Sequence, residues 1–308
     1  MDNIVKKVAA IHDLSGYGRS SLTSIIPILS SMKLQVCPVP TAVLSTHTGG
    51  FEGFSFLDLT DYMEQHIAHW KKLGLEFDCI YSGFLGSPRQ IKIVADFVDF
   101  FGHKNNLTVI DPVLGDNGRL YGTMGNEMVE EMKKLIGKAD IITPNFTEVT
   151  FLLDKEYKKE ISESEVKECL IELAAMGPKI VIATSVPDED SHSTDRKTNV
   201  VAYDRENNVF WKVSCKYIPA SYPGTGDAYT SVVIGSLLQG DSLPIAIERG
   251  VQFITQCILA SYGFKYPNRE GVLLERMLDV LKMPNYFKQL WTFKKWLINY
   301  KGIMRYFL

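Results

Sequence analysis

Apolar positions along the chain fall into short runs of strand length that alternate with longer stretches of helical period. Residues 8–11 and 34–39 read as strands around a helix over 23–32, with Gly16-Tyr17-Gly18 between the first strand and that helix. A helix over 58–73 leads to a strand at 79–82, and one over 87–101 leads to a strand at 107–110. Helices over 125–136 and 163–176 precede strands at 141–143 and 180–183. Continuous apolar runs joined by helices predict an α/β fold with a mainly parallel sheet covered on both faces. Residues 199–203 and 209–214 are rich in β-formers and flank the polar stretch 204–208, which predicts an antiparallel hairpin. Helices over 228–238, 244–262 and 271–281 follow. No repeat, low-complexity tract or linker interrupts the pattern, so residues 1–282 form one domain. Residues 283–308 are a basic, aromatic tail, expected to be a helix docked on the domain, with a partner surface or a membrane-surface element as alternatives.

Composition narrows the function classes. The 308 residues are 45% hydrophobic and 22% charged, as in a globular protein, with a formal net charge of −3. Such a balance gives no basic field for nucleic acid. No apolar run approaches the ~20 residues of a membrane span, and the N-terminus lacks a signal-peptide core, so a cytoplasmic location is expected. Cys37, Cys79, Cys169, Cys215 and Cys257 are scattered and form no C-x-x-C pair, which points to core residues rather than a zinc site or disulfide framework.

Polar residues and glycines gather just after the strands, at the edge where open parallel sheets bind ligands. The sharpest of these signals is Gly224-Thr225-Gly226-Asp227 at the head of an apolar helix. The glycines permit positive φ and close approach, the free amides of the first helical turn form an anion site, and a carboxylate stands beside it. That combination suits removal of a proton from a hydroxyl while a phosphoryl group is held; an ordinary helix cap is the plain alternative. Asp111, Asp116 and Glu148, with Thr143 and Asn145, supply hard oxygen ligands along the same edge and suit Mg²⁺ bound together with nucleotide phosphates. Asp111 also reads as an Asp-Pro turn, and Glu148 as a first-turn acid favoured by the helix dipole. No G-x-x-x-x-G-K-[ST] is present, and Gly16-Tyr17-Gly18 lacks the third glycine of a dinucleotide fingerprint.

The strings His12-Asp13-Leu14-Ser15-Gly16-Tyr17-Gly18, Leu44-Ser45-Thr46-His47-Thr48-Gly49, Tyr81-Ser82-Gly83-Phe84-Leu85-Gly86-Ser87, Asp111-Pro112-Val113-Leu114-Gly115-Asp116, Ile142-Thr143-Pro144-Asn145 and Gly224-Thr225-Gly226-Asp227 occur in that order. Over residues 8–265 the chain resembles the pyridoxal kinase branch of the ribokinase superfamily, which also contains the hydroxymethylpyrimidine kinases. The resemblance implies a ribokinase-like three-layer sandwich and ATP-dependent phosphorylation of the 5′-hydroxymethyl group of pyridoxal, pyridoxine or pyridoxamine. It implies Asp227 as catalytic base and Gly224, Thr225 and Gly226 as the anion hole. Asp13, Ser15, Thr48, Ser82 and Phe84 are expected around the pyridine ring. Asp111, Tyr121, Thr143, Asn145, Glu148, Thr184 and Ser185 are expected near ATP, and Asp116, Thr143 and Glu148 near Mg²⁺. Residues 115–122, with Tyr121, resemble a flap over the reacting groups. A homodimer and a monovalent cation such as K⁺ also belong to the family picture. Asp13-Leu14 departs from the Ser-His of many pyridoxal kinases and is closer to hydroxymethylpyrimidine kinases, so that activity stays open, as does a non-catalytic vitamin-binding role.

Overall fold

Alternate residues of the first strand enter two different cores, which is why the strand reads as continuously apolar. In β1 (Lys7–Tyr17), Val8 and Ala10 pack on one face of the sheet and Ala9 and Ile11 on the other, all four without exposure. A computed structural model of the protein describes residues 5–122, 124–189, 197–264, 266–282 and 294–296. The remaining strands are β2 (Gln35–Thr46), β3 (Phe56–Asp58), β4 (Cys79–Ser82), β5 (Leu107–Ile110), β6 (Gly115–Asp116), β7 (Arg119–Leu120), β8 (Ile141–Ile142), β9 (Ile180–Val186), β10 (Lys197–Asp204) and β11 (Val209–Lys216). The main sheet runs β11-β10-β9-β8-β5-β4-β1-β2-β3, with β9 through β2 parallel and β10, β11 and β3 antiparallel to their neighbours. The pair β6-β7 is a small separate hairpin.

Helices cover both faces, completing the expected three-layer sandwich. They are α1 (Leu22–Ser31), α2 (Thr60–Leu73), α3 (Pro88–Phe101), α4 (Asn126–Ile136), α5 (Phe146–Leu152), α6 (Glu163–Ala175), α7 (Thr225–Leu238) and α8 (Leu243–Gly263). The larger core joins α2 to α6 to one face through Ile67, Phe97, Met132, Val149 and Leu170. The other joins α1, α7 and α8 through Ile25, Val233 and Ile247. Local chemistry sets several boundaries. Ser87 caps α3 with Pro88 in its first turn, Ser162 and Glu165 form a capping box on α6, and Gly74 ends α2 in the left-handed region.

Several boundaries depart from the sequence expectation. β1 and β2 run on to Tyr17 and Thr46, because their pairing continues past the sheet edge as a ribbon. Pro38 and Pro40, which have no N–H to donate, lie in the stretch of β2 outside its pairing with β3. The helix expected from 58 begins at Thr60, since Asp58 ends β3 and its carboxylate accepts the Thr60 amide at 2.7 Å. In place of a helix over 271–281 there are three 3₁₀ turns, Asn268–Glu270, Leu274–Arg276 and Leu278–Lys282. Tertiary bonds hold this segment instead: Glu270 O accepts from Arg19 N, and Leu273 N donates to Ser261 Oγ. Of the tail after residue 282, only Lys294–Trp296 is described, as a short strand beside β11; the helix expected there otherwise falls outside the described residues.

Candidate active site

Gly224 opens the site. It caps α7 at φ 78°, and a Cβ there would lie 2.1 Å from the Arg19 carbonyl oxygen, so only glycine admits this backbone contact. As a glycine, Gly224 has no side chain with which to cap the first turn of α7. Amides at the head of such a helix suit an anion, the role expected of Gly224, Thr225 and Gly226 from the sequence. At Gly226 an added Cβ would have Asp111 Oδ2 3.9 Å away, which places that carboxylate opposite the turn.

Asp227 stands within the same turn, its side chain 14% exposed. Its Oδ2 accepts the Ser21 amide at 2.8 Å, and its Oδ1 lies 3.8 Å from His12 Nδ1. Burial pushes the Asp227 carboxyl up to about 7; the Ser21 amide opposes this, and the neighbouring Asp13 adds to it. His12 is fully buried, its ring set edge-on to Tyr81 at 4.3 Å in space left by Gly83, where a Cβ would lie 2.2 Å from His12 Cε1. Burial pulls its pKa down to about 3, so the imidazole is neutral and does not form an ion pair with Asp227. Asp13, on β1, is also buried; its Oδ1 accepts the Ser21 hydroxyl and its Oδ2 accepts Ser15 Oγ at 3.0 Å. Burial raises its pKa and the two hydroxyls act against that.

A second group of acids lies past β5 and β8. Burial, then Glu148, then Asp227 hold Asp111 well above the usual carboxylate range. Glu148 forms a capping box with Asn145 at the head of α5, its Oε2 accepting the Asn145 amide at 2.8 Å and its Oε1 the Leu114 amide at 3.1 Å. Burial pushes it up to about 8 against these amides. Thr143 Oγ1 accepts Thr230 Oγ1 at 3.0 Å, which ties this edge to α7. Among the described residues, Asp111, Glu148 and Asp227 have no Lys or Arg ion-pair partner. Unneutralised buried carboxylates fit a divalent cation. Among the described residues there is no cluster of three His, Cys, Asp or Glu that could hold a metal ion.

The other expected residues sit around these two groups. Asn145 Nδ2 donates to Gly115 O at 2.8 Å and Thr147 Oγ1 accepts the Gly118 amide at 2.9 Å, so α5 anchors the β6-β7 hairpin. Tyr121, just after it, is 44% exposed, and its phenol is raised by burial and by Glu148, Asp116, Asp111 and Asp227. Asp116 is exposed and accepts from Asn117 N and Nδ2. Thr184 bridges to Asn145 beside Pro144, and the exposed Ser185 adopts φ 53°. Ser82 ends β4 fully buried, its hydroxyl without a partner among the described residues, and Phe84 is half-buried beyond it. Thr48 is exposed on a loop that meets the turn at Pro223, 3.2 Å from where a Gly49 Cβ would lie. Ser21, Arg19 and His12 carried no assigned role in the sequence reading. Ser21 stands at the N-cap position of α1, a local signal, but its bonds to Asp13 and Asp227 are tertiary.

The model of the phosphomethylpyrimidine kinase family matches residues 10–271. A solved structure described as a putative phosphomethylpyrimidine kinase from Bacteroides thetaiotaomicron is 58% identical, covering 96% of this chain and 99% of that one with a TM-score of 0.90. The same protein has been solved with pyridoxal. The pyridoxal kinase of Lactobacillus plantarum is 29% identical over 91% of this chain and 97% of its own, with a TM-score of 0.81. A curated pyridoxal kinase of Paraburkholderia xenovorans is 28% identical over 84% of this chain and 89% of its own. The chain belongs to the phosphomethylpyrimidine kinase family, as a phosphotransferase with an alcohol acceptor similar to the family's pyridoxal kinases.

Proposed function

We propose that the protein transfers the γ-phosphoryl group of ATP to the 5′-hydroxymethyl group of pyridoxal, pyridoxine or pyridoxamine. The observation that carries this reading is Asp227, a carboxyl brought to about 7 by burial, within a first helical turn whose amides suit a phosphoryl group. One of its oxygens is held by Ser21, leaving the other to take the proton of the substrate hydroxyl as the new O–P bond forms and ADP departs. The amides of Gly224, Thr225 and Gly226 are assigned the charge on the transferring group. Asp13, Ser15, Thr48, Ser82 and Phe84 are assigned the vitamer, and Tyr121 with the β6-β7 hairpin the exclusion of water. Asn145, Thr184 and Ser185 complete the nucleotide side.

Asp111, Asp116, Thr143 and Glu148 would hold Mg²⁺, which neutralises the charge of the nucleotide phosphates when bound. Pyridoxal bound to the 58% identical relative supports a B6 acceptor. The exposed Phe56 and Leu57 on the edge strand β3 support a homodimer in which a second copy covers them. Among the described residues no helix is long and apolar enough to cross a membrane; a cytoplasmic site accords with ATP as donor. ADP release is to be measured with pyridoxal, pyridoxine, pyridoxamine and hydroxymethylpyrimidine offered separately. Turnover with the B6 compounds is expected. Turnover with hydroxymethylpyrimidine alone would give the decision to the Asp13-Leu14-Ser15-Gly16 string.

A further inference from the structure

Ser21 has φ 49° and ψ −134°, a region of backbone space that glycine enters freely and a residue with a Cβ does not. It occupies the N-cap position of α1, yet its side chain makes no capping bond there. The serine therefore bears strain and gives up its usual local role. Its polar groups go elsewhere. The amide donates to Asp227 Oδ2 at 2.8 Å, and the hydroxyl donates to Asp13 Oδ1. The segment cannot relax easily, because Arg19 just before it donates through its own amide to Glu270 O at 3.1 Å and through its guanidinium to Glu275 at 2.7 Å. Its carbonyl is also packed against Gly224.

Building on the kinase reading above, we propose that Ser21 is a positioning residue that sets the register between the vitamer ring at Asp13 and the base at Asp227. Its amide commits one oxygen of Asp227, so the other faces the acceptor hydroxyl. Its hydroxyl keeps Asp13 in one rotamer, so the ring is seated at a fixed distance from the base. Strain at a junction between two functional carboxylates is the expected signature of such a device.

Ser21→Ala keeps the amide and the strained φ and loses only the hydroxyl. Ser21→Gly loses the hydroxyl and also relieves the strain. Both are to be compared with wild type for the KM of each substrate, kcat and thermal melting. The expected result is a rise of about tenfold or more in vitamer KM for both variants, the usual worth of a hydrogen bond to a charged group, with ATP KM nearly unchanged. For Ser21→Gly, kcat falls as well, while the melting temperature equals or exceeds that of Ser21→Ala. Activity losses that follow a falling melting temperature and raise both KM values alike would reduce Ser21 to a structural residue and overturn the proposal. Wild-type kinetics in both variants would overturn it too, and would leave the kinase reading intact. A wild type inactive on all four acceptors would remove that reading, and the Ser21 role with it.

Discussion

Gly224 and Arg19 meet backbone to backbone: a Cβ on Gly224 would stand 2.1 Å from the Arg19 carbonyl oxygen and 2.9 Å from Ser20 Cα. Neither neighbour is a flexible side chain that could swing away. Gly224→Ala must therefore displace the 19–21 loop, and with it the Ser21 amide that Asp227 accepts. It also forces a side chain into φ 78°. The expected cost is about 1–3 kcal/mol of stability from the backbone conformation alone, with turnover reduced at least tenfold. Chemical denaturation and steady-state kinetics check both parts.

The pH response follows from the raised carboxyls. Asp227 must be ionised to accept a proton, so kcat/KM should fall as pH drops through about 7. Stability runs the other way. Asp227 and Glu148 titrate at about 7 and about 8 in the folded chain, against 3.8 and 4.5 as ordinary values. Between those limits the folded state binds more protons than the unfolded one, so stability is lost as pH rises through the window. Melting of the ligand-free protein should come at a lower temperature near pH 8.5 than near pH 6, and Asp227→Asn should reduce that difference while the Glu148 share remains.

Metal dependence is expected to pass through Asp111. Its Oδ2 lies 3.9 Å from where a Cβ on Gly226 would stand, and it shares its surroundings with two further acids. Chelation with EDTA should abolish turnover, and Asp111→Asn should raise the Mg²⁺ concentration for half-maximal rate by about tenfold or more. The measurement is rate against free Mg²⁺ at fixed ATP.

Much of the sheet was legible because its parallel strands are buried on both faces and so appear as continuous apolar runs, as at Val8 to Ile11 and Leu107 to Ile110. The turn at Gly224 was legible for a different reason: its glycines and acid are local, and local chemistry determines a helix start. The extension of β1 was hidden, since His12, Asp13 and Ser15 are polar and look like loop, although the strand carries them as buried residues. The Ser21 link to Asp227 was hidden as well, because it joins positions 206 apart and leaves no periodicity. The apolar spacing of residues 271–281 suggested a helix; contacts of Arg19 and Ser261 impose 3₁₀ turns instead.

Asp227→Asn removes the carboxylate assigned as base in phosphorylation of a B6 vitamer. ADP and pyridoxal 5′-phosphate formation would be followed with pyridoxal, alongside the affinities for pyridoxal and ATP. Turnover is expected to be lower by about 10²–10⁴, the usual range for a lost general base, with both affinities changed only a few-fold. Turnover near that of the wild type, with pyridoxal bound normally, would strip Asp227 of the role of base.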